Sequence, residues 1–519
     1  MPARLLAIDA GTGSCRAALF TPDGRQTALA SREWSHPAPR GVPGGATFDI
    51  DRNWGLICAC VRSVMSQSHT HPRDVAAVSA TSMREGIVLY DAAGMEVWAC
   101  PNVDARAGAE VAELVASGDA ERIYGVAGDW VAITSAARLL WLSTHEPDVF
   151  AATRHVTMIS DWILYRLSAV FVTDPSAGSS SGMFDLSARD WSPWVVERCG
   201  MPIDRFPAVA EPGTAVGEVT AAAARETGLD AGTPVVLGGA DTQLALLGLG
   251  CSAPDTVTVI GGTFWQTAIT TEVPLVDPHM RLRTLCHALP DRWMVEGIGF
   301  LSGLSMRWFR DAFCEPEMRE AADTGVDAYA LMEDLARQAP PGVSGVLATF
   351  SNVMDAKRWL HASPSFLQFD VTRPATSGRK ECIRALEEGA AYVVQHHCEI
   401  LAQISDRHFE RIVMAGGAAN GTLWPQIVAD VTGLEVTVPV IKESAALGCA
   451  LLGAAGVGLR PTPGEWSVPD DQIERIHVPD PDDHRAYVAL CHEWSAAYAG
   501  ALELVEHGLV NPLWRAAGT

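Results

Sequence analysis

Asp9-Ala10-Gly11-Thr12-Gly13-Ser14-Cys15-Arg16 follows directly on the apolar run Leu5-Leu6-Ala7-Ile8 and leads into a second one, Ala17-Ala18-Leu19-Phe20. Two short apolar runs around glycines predict a hairpin: a strand ending at Asp9, a tight turn that Gly11 and Gly13 permit, and a returning strand. Such a turn offers backbone N–H groups to an anion. Thr12 and Ser14 add hydroxyl donors, Arg16 adds a cation, and Asp9 is a carboxylate able to hold magnesium through water. A single copy reads equally well as an ordinary Asp-Gly type of turn.

The device recurs. Thr256-Val257-Thr258-Val259-Ile260 is a β-branched strand that runs into Gly261-Gly262-Thr263 and out through Trp265 to Thr270. A third glycine turn, Gly416-Gly417-Ala418-Ala419-Asn420, follows the apolar run Arg411 to Ala415 and precedes a helical stretch from Thr422 to Asp430. Three glycine turns after strands, two of them heading the two halves of the chain, predict a nucleotide held between two lobes.

Composition sets the class. A chain of 519 residues exceeds what one core normally supports, so two domains are expected, divided at the small-residue connector Gly250 to Asp255 into 1–250 and 251–519. A formal net charge of −24 argues against nucleic acid or an anionic membrane as partner. Twelve scattered cysteines with no zinc-like spacing read as reduced core thiols. With no signal peptide and no membrane-length apolar run, the cytoplasm is the expected location; the sequence does not specify an oligomeric state. The three lysines, Lys357, Lys380 and Lys442, never follow glycine, which excludes a Walker A loop; the protein-kinase signatures are also missing. Phosphates must then be held mainly by backbone amides, hydroxyls and magnesium.

Two further sites stand at strand ends. Val75 to Ala80 reads as a strand leading to Arg84 and Glu85, either a solvated charged turn or a binding pair. Pro234 to Ala240 reads as a buried strand that delivers Asp241 and Thr242 at a helix start. There Asp241 is either a helix N-cap or a catalytic carboxylate of the kind open α/β sheets present. Thr173 to Gly182 is a small-residue loop that either lines a cleft or lies on the surface.

These turns, in this order and spacing, resemble the FGGY carbohydrate kinases over nearly the whole chain. The resemblance implies an α/β architecture of two ribonuclease-H-like, actin-type domains around an ATP cleft. It implies that Gly11, Thr12, Gly13, Ser14 and Arg16 form the first phosphate loop, Gly262 and Thr263 the second, and Gly416, Gly417 and Asn420 the adenosine motif, with Asp9 serving Mg²⁺. Asp241 matches the family's catalytic base, and Arg84 and Glu85 match its hydroxyl-binding positions. Asn102, Ile133 and Gln266 stand where the glycerol-phosphorylating members carry aromatic cage residues; with Thr242 they complete the expected acceptor site. Hydroxyl grips retained beside an altered cage imply a small polyol bearing a carbonyl or hydrated diol, phosphorylated by ATP. Another polyol or pentulose acceptor, or a nucleotide-switched regulator without chemistry, are the alternatives.

Overall fold

The computed structural model describes residues 3–354 and 358–517, so Lys357 lies outside the described residues. Strand β1 (Arg4–Ala10) is buried throughout after Arg4, as a strand apolar on both faces must be, and it occupies the middle of a six-stranded sheet. The others are β2 (Ser14–Phe20), β3 (Gln26–Glu33), β4 (Val75–Ser82), β5 (Ala215–Glu218) and β6 (Pro234–Ala240), in the order β5-β6-β4-β1-β2-β3. β1, β2 and β3 form an antiparallel meander, whereas β4 and β6 run parallel to β1.

The second half repeats this plan. β7 (Thr256–Gly261), β8 (Trp265–Thr271), β9 (Arg283–Cys286), β10 (Trp293–Gly299), β11 (Arg411–Ala415), β12 (Glu435–Pro439) and β13 (Ile473–His477) pair in the order β9-β10-β8-β7-β11-β12-β13. Antiparallel β7, β8 and β10 followed by parallel β11 and β12 reproduce β1, β2, β3, β4 and β6. This is the two-domain ribonuclease-H-like, actin-type architecture that the sequence led us to expect, with both glycine hairpins between first and second strands.

Helices fill the faces. α1 (Ile50–Gln67) covers β2 and β3, with Asp49 accepting from the Arg52 amide at its N-terminus. α2 (Ser135–His145) and α3 (Ile159–Ser168) belong to the first half. α4 (Asp241–Gly248) follows β6, and residues 249–255 connect it to β7. α5 (Ser302–Phe313), α6 (Ala328–Ala336), α7 (Arg379–Ser405) and α8 (Leu423–Thr432) belong to the second half, followed by α9 (Ser444–Gly456) and α10 (Pro481–Glu506), the last packed on α8. At the N-terminus of α7, Glu381 accepts from the Gly378 amide.

The segment expected as a small-residue loop, Thr173 to Gly182, is interior: Pro175–Ser179 is a helical turn, capped by Asp174 through the Ser176 and Ala177 amides. All twelve cysteines are buried and unpaired. Among the described residues no helix is long and apolar enough to cross a membrane.

α4 and α9 are buried on nearly every side, although α4 opens with the polar residues Asp241, Thr242 and Gln243. Leu244 and Leu247 of α4 share a cluster with Ala446, Leu447 and Ala450 of α9 and with Leu5 and Ala7 of β1. Leu246 and Leu249 face the other way, onto Ala268, Leu285 and Met294 of the second sheet. A Cβ at Gly448 would lie 2.1 Å from the Leu244 carbonyl oxygen, and one at Gly248 would lie 2.1 Å from that of Ser444. The two backbones therefore touch in a symmetric exchange.

Gly448→Ala should destabilise the protein by about 2 kcal/mol or more, since backbone must move to admit the methyl group. Gly125→Ala, in the helix Asp119–Ala127 with open space beside it, should be neutral or stabilising by up to about 1 kcal/mol. Denaturant unfolding of both variants checks the pair; equal stabilities would mean that the helices do not depend on this contact.

Candidate active site

Asp9 sits beside Arg16 across the β1–β2 ladder, and their side chains pair at 3.3 Å. Arg16 also reaches Glu443, at the start of α9, at 3.5 Å. The turn between them is tied down by its carbonyls: the Trp34 indole N–H donates to Gly11 and Thr12, the Trp34 amide to Gly13, and a His36 ring nitrogen meets the Thr12 carbonyl oxygen at 2.8 Å. With its carbonyls occupied, the turn keeps its amide side for an anion. Burial raises the Asp9 carboxyl to about 7; Arg16 opposes this, while Asp241 and Glu443 add to it.

At the end of β4, Arg84 and Glu85 are both buried, which excludes a solvated turn. The Arg84 guanidinium lies 3.8 Å from Asp241 and 3.9 Å from Glu85. Asp241 opens α4, and its carboxylate accepts from the Thr242 amide at 2.7 Å and from the Thr242 hydroxyl at 3.2 Å. Asp241 is thus the first residue of α4 and Ala240 its N-cap, so the N-cap reading does not hold, and the Asp241 side chain keeps 35% of its surface exposed. Desolvation raises its pKa, Arg84 counteracts, and Glu85 reinforces; the exposure moderates the net shift.

Glu85 has a left-handed backbone, φ 62°, uncommon for a residue with a Cβ. Its carbonyl accepts from the Ser135 hydroxyl and from Arg138 Nη1, each at 2.6 Å. Arg138, buried on α2, also donates to the carbonyls of Asp104, Asn102 and Ile133. One guanidinium thereby gathers the backbones of three expected acceptor-site residues. The Asn102 side-chain amide donates to the Thr12 hydroxyl at 2.9 Å, so it links an expected acceptor-site residue to the first hairpin. Ile133 packs with Trp130, Ile298 and Phe300, and half-buried Gln266 is the cross-strand partner of Ile298.

The second half also supplies charges to this region. Arg84 Nη1 donates to Glu296 of β10 at 2.5 Å. Arg283 of β9 pairs with Glu85 at 2.6 Å, with Glu296 at 3.3 Å and with Asp129. Burial raises Asp129 to about 6 against the pull of Arg283. Sequence reading missed Asp129, Arg138, Arg283, Glu296 and Glu443. A lone carboxylate inside the apolar strand Trp293 to Gly299 was a usable signal for Glu296; the others carried none.

Glycines bring together the turns expected to hold the nucleotide. A Cβ at Gly416, φ 88°, would lie 2.7 Å from the Gly261 carbonyl oxygen, and one at Gly303 of α5 would lie 2.0 Å from that of Gly262. Thr263 follows Gly262 in this turn, and its carbonyl accepts from the Leu304 amide. The loop at Gly417 and Asn420 is fixed by Arg475, which donates to the Ala419 and Gly421 carbonyls, and by Glu333 of α6, which accepts from the Thr422 and Leu423 amides. Lys442 reaches the Asn420 side chain at 3.2 Å. Among the described residues no three His, Cys, Asp or Glu side chains form a metal cage. A magnesium ion that arrives on nucleotide phosphates needs only one or two carboxylates, a condition Asp9 meets.

Two ribonuclease-H-like halves, each with a glycine hairpin between its first two strands, place the chain among duplicated actin-type folds. Residues 4–248 match the FGGY family of carbohydrate kinases, N-terminal domain, and residues 257–457 match its C-terminal domain; the chain belongs to this family and is an ATP-dependent carbohydrate kinase. It is 44% identical over 517 residues to the autoinducer-2 kinases of Escherichia coli strain K12 and Salmonella typhimurium strain LT2, covering 99% of this chain and 97% of each relative. Among solved structures, xylulose kinase from Rhodospirillum rubrum superposes with TM-score 0.84 at 26% identity, covering 96% of this chain and 99% of that one. Plasmodium falciparum glycerol kinase with ADP gives 0.79 at 16% identity, covering 96% and 98% respectively, a likeness of fold alone.

Asp9 yields a pH prediction. A carboxyl raised above its unfolded value stabilises the fold fully at low pH and loses that contribution as pH rises through the folded value, here about 7. Asp9→Asn cannot ionise, so the nucleotide-free variant should gain on wild type by on the order of 2 kcal/mol between pH 5 and pH 8. A stability difference that is flat across this range would show that Asp9 ionises freely.

Proposed function

We propose that the chain phosphorylates autoinducer-2, in its linear 4,5-dihydroxy-2,3-pentanedione form, on the primary hydroxyl. In this reading residues 1–250 supply the acceptor site and the first phosphate hairpin, and residues 251–519 supply the second hairpin and the adenosine loop. The observation that carries the acceptor assignment is the Arg84, Glu85 and Asp241 group, with Arg84 within 4 Å of both carboxylates. Identity of 44% to autoinducer-2 kinases over 99% of the chain supports the choice of acceptor.

Asp241 accepts the proton of the attacking hydroxyl, for which a desolvated carboxylate open to the cleft is suited. Arg84 and Glu85 orient the remaining oxygens, with Thr242 fixing the Asp241 carboxylate. Asn102, Ile133 and Gln266 shape the rest of the pocket. Gly11, Thr12, Gly13, Ser14 and Arg16 hold one side of the phosphate chain, Gly262 and Thr263 the other, and Gly416, Gly417 and Asn420 the adenosine. Asp9 is the residue to hold Mg²⁺, since its desolvated carboxylate beside Asp241 and Glu443 calls for a cation. Magnesium there would neutralise charge on the phosphate oxygens.

Asp241→Asn should lower kcat by about 10²-fold or more and leave the KM for ATP nearly unchanged. Turnover within a few-fold of wild type would remove Asp241 from the mechanism.

Acceptor identity is tested by comparing kcat/KM for the linear autoinducer-2 precursor, glycerol, xylulose and ribulose. Polar groups matched to a carbonyl or hydrated diol should favour the precursor by up to about 10⁴-fold over glycerol. Equal values for glycerol or xylulose would leave a general polyol kinase, and no ATP consumption with any of the four would leave a carbohydrate kinase with a different acceptor.

A further inference from the structure

Six charged side chains meet where the two halves touch the acceptor site: Arg84, Glu85, Asp129 and Asp241 from the first half, and Arg283 and Glu296 from the second. Two guanidiniums face four carboxylates. A cluster selected for stability alone would be expected to balance its charges or be replaced by apolar packing, because buried ions recover their desolvation cost only when well paired. Arg84 sits at the centre with three carboxylates around it, at unequal distances. Glu296 is at 2.5 Å, Asp241 at 3.8 Å and Glu85 at 3.9 Å.

Glu296 itself is fully buried in the middle of β10. Oε1 meets Arg84 and Arg283, whereas Oε2 has no hydrogen-bond partner among the described residues. The carboxylate thus interacts with the protein through two guanidiniums, and it approaches Arg84 from the lobe opposite the base. Arg283 in turn is anchored by Asp129 and Glu85, which fixes Glu296 from behind.

We propose that Glu296 is a positioning residue: it holds Arg84 on the second-lobe side of the acceptor pocket and keeps the guanidinium from closing onto Asp241. This rests on the reading of Arg84 and Asp241 as acceptor-site residues. With Glu296 neutralised, the nearest remaining anions are Asp241 and Glu85, and Arg84 moves to pair with them. The oxygen meant to receive the hydroxyl proton is then occupied, and the grip on the acceptor is misplaced. Because Glu296 belongs to one lobe and Arg84 to the other, the grip is correctly set only while the two lobes are in register.

The test is a double-mutant cycle on kcat/KM for the acceptor, with Glu296→Gln, Arg84→Ala and the double variant, and with Tm and the KM for ATP measured on each. Glu296→Gln alone should lower kcat/KM for the acceptor by about 10-fold or more, with the KM for ATP within two-fold of wild type. In the Arg84→Ala background the same substitution should change kcat/KM by less than about two-fold, because its effect runs through Arg84. Glu296→Asp, which keeps the charge on a shorter arm, should recover part of the loss and carries the cycle if the Gln variant folds poorly.

Additive effects of Glu296 and Arg84 would overturn the proposal, as would parallel losses of acceptor use, ATP use and Tm that Glu296→Asp does not relieve. Full activity of Arg84→Ala would instead refute the acceptor-site reading. An inactive Arg84→Ala beside an unimpaired Glu296→Gln would refute this inference alone.

Discussion

Backbone contact between α4 and α9 is the constraint on which the two-lobed arrangement depends. Each helix follows a strand of its own half, yet each lies against the other half's sheet. An approach close enough for a Cβ at Gly448 or Gly248 to strike the partner's carbonyl is possible only for glycine. The crossing also sets where α4 begins, and α4 begins with Asp241. Likewise α9 starts just after Glu443, which is how that carboxylate comes to share Arg16 with Asp9. Register between the lobes and placement of the cleft carboxylates are therefore one geometric fact.

Around that crossing the protein concentrates charge in a place where charge is expensive. Burial desolvates Asp9, Asp129 and Asp241 and lifts them toward their neutral forms against the pull of neighbouring guanidiniums, while the surrounding carboxylates keep Arg84 and Arg283 firmly cationic despite their own burial. An excess of carboxylates suits the proposed roles, in which Asp241 receives a hydroxyl proton and Asp9 holds a metal ion.

The fold was legible because its deciding signals are local. A hairpin such as Leu5 to Phe20 announces itself through two apolar runs and the glycines between them, and the repeat at Thr256 to Thr270 and again near Gly416 needed no knowledge of distant contacts. Strand ends carrying Arg84 and Asp241 were visible for the same reason. The missing half of the charge network was not, because Arg84 and Glu296 are 212 positions apart and Arg283 and Asp129 are 154 apart. Nothing in Gly128-Asp129-Trp130 distinguishes a buried ion partner from a turn residue. Arg138 was hidden differently: it acts on carbonyl oxygens, which every residue has, so its targets leave no mark in the sequence. The loop at Thr173 to Gly182 looked as suited to a surface as to an interior, and only the close approach of Ser176 to Gly239 shows why its side chains are small.

Glu85 keeps a side chain at a place where the backbone would choose none. A left-handed conformation costs a residue with a Cβ about 1 kcal/mol, and here it is enforced by Ser135 and Arg138 through the residue's own carbonyl. Folding and the proposed acceptor-binding role thus select different amino acids at one position. Under selection for folded, soluble protein alone, position 85 should drift to glycine or asparagine, while selection for turnover should hold the glutamate. The backbone angle at a single residue marks where this chain has traded robustness for work.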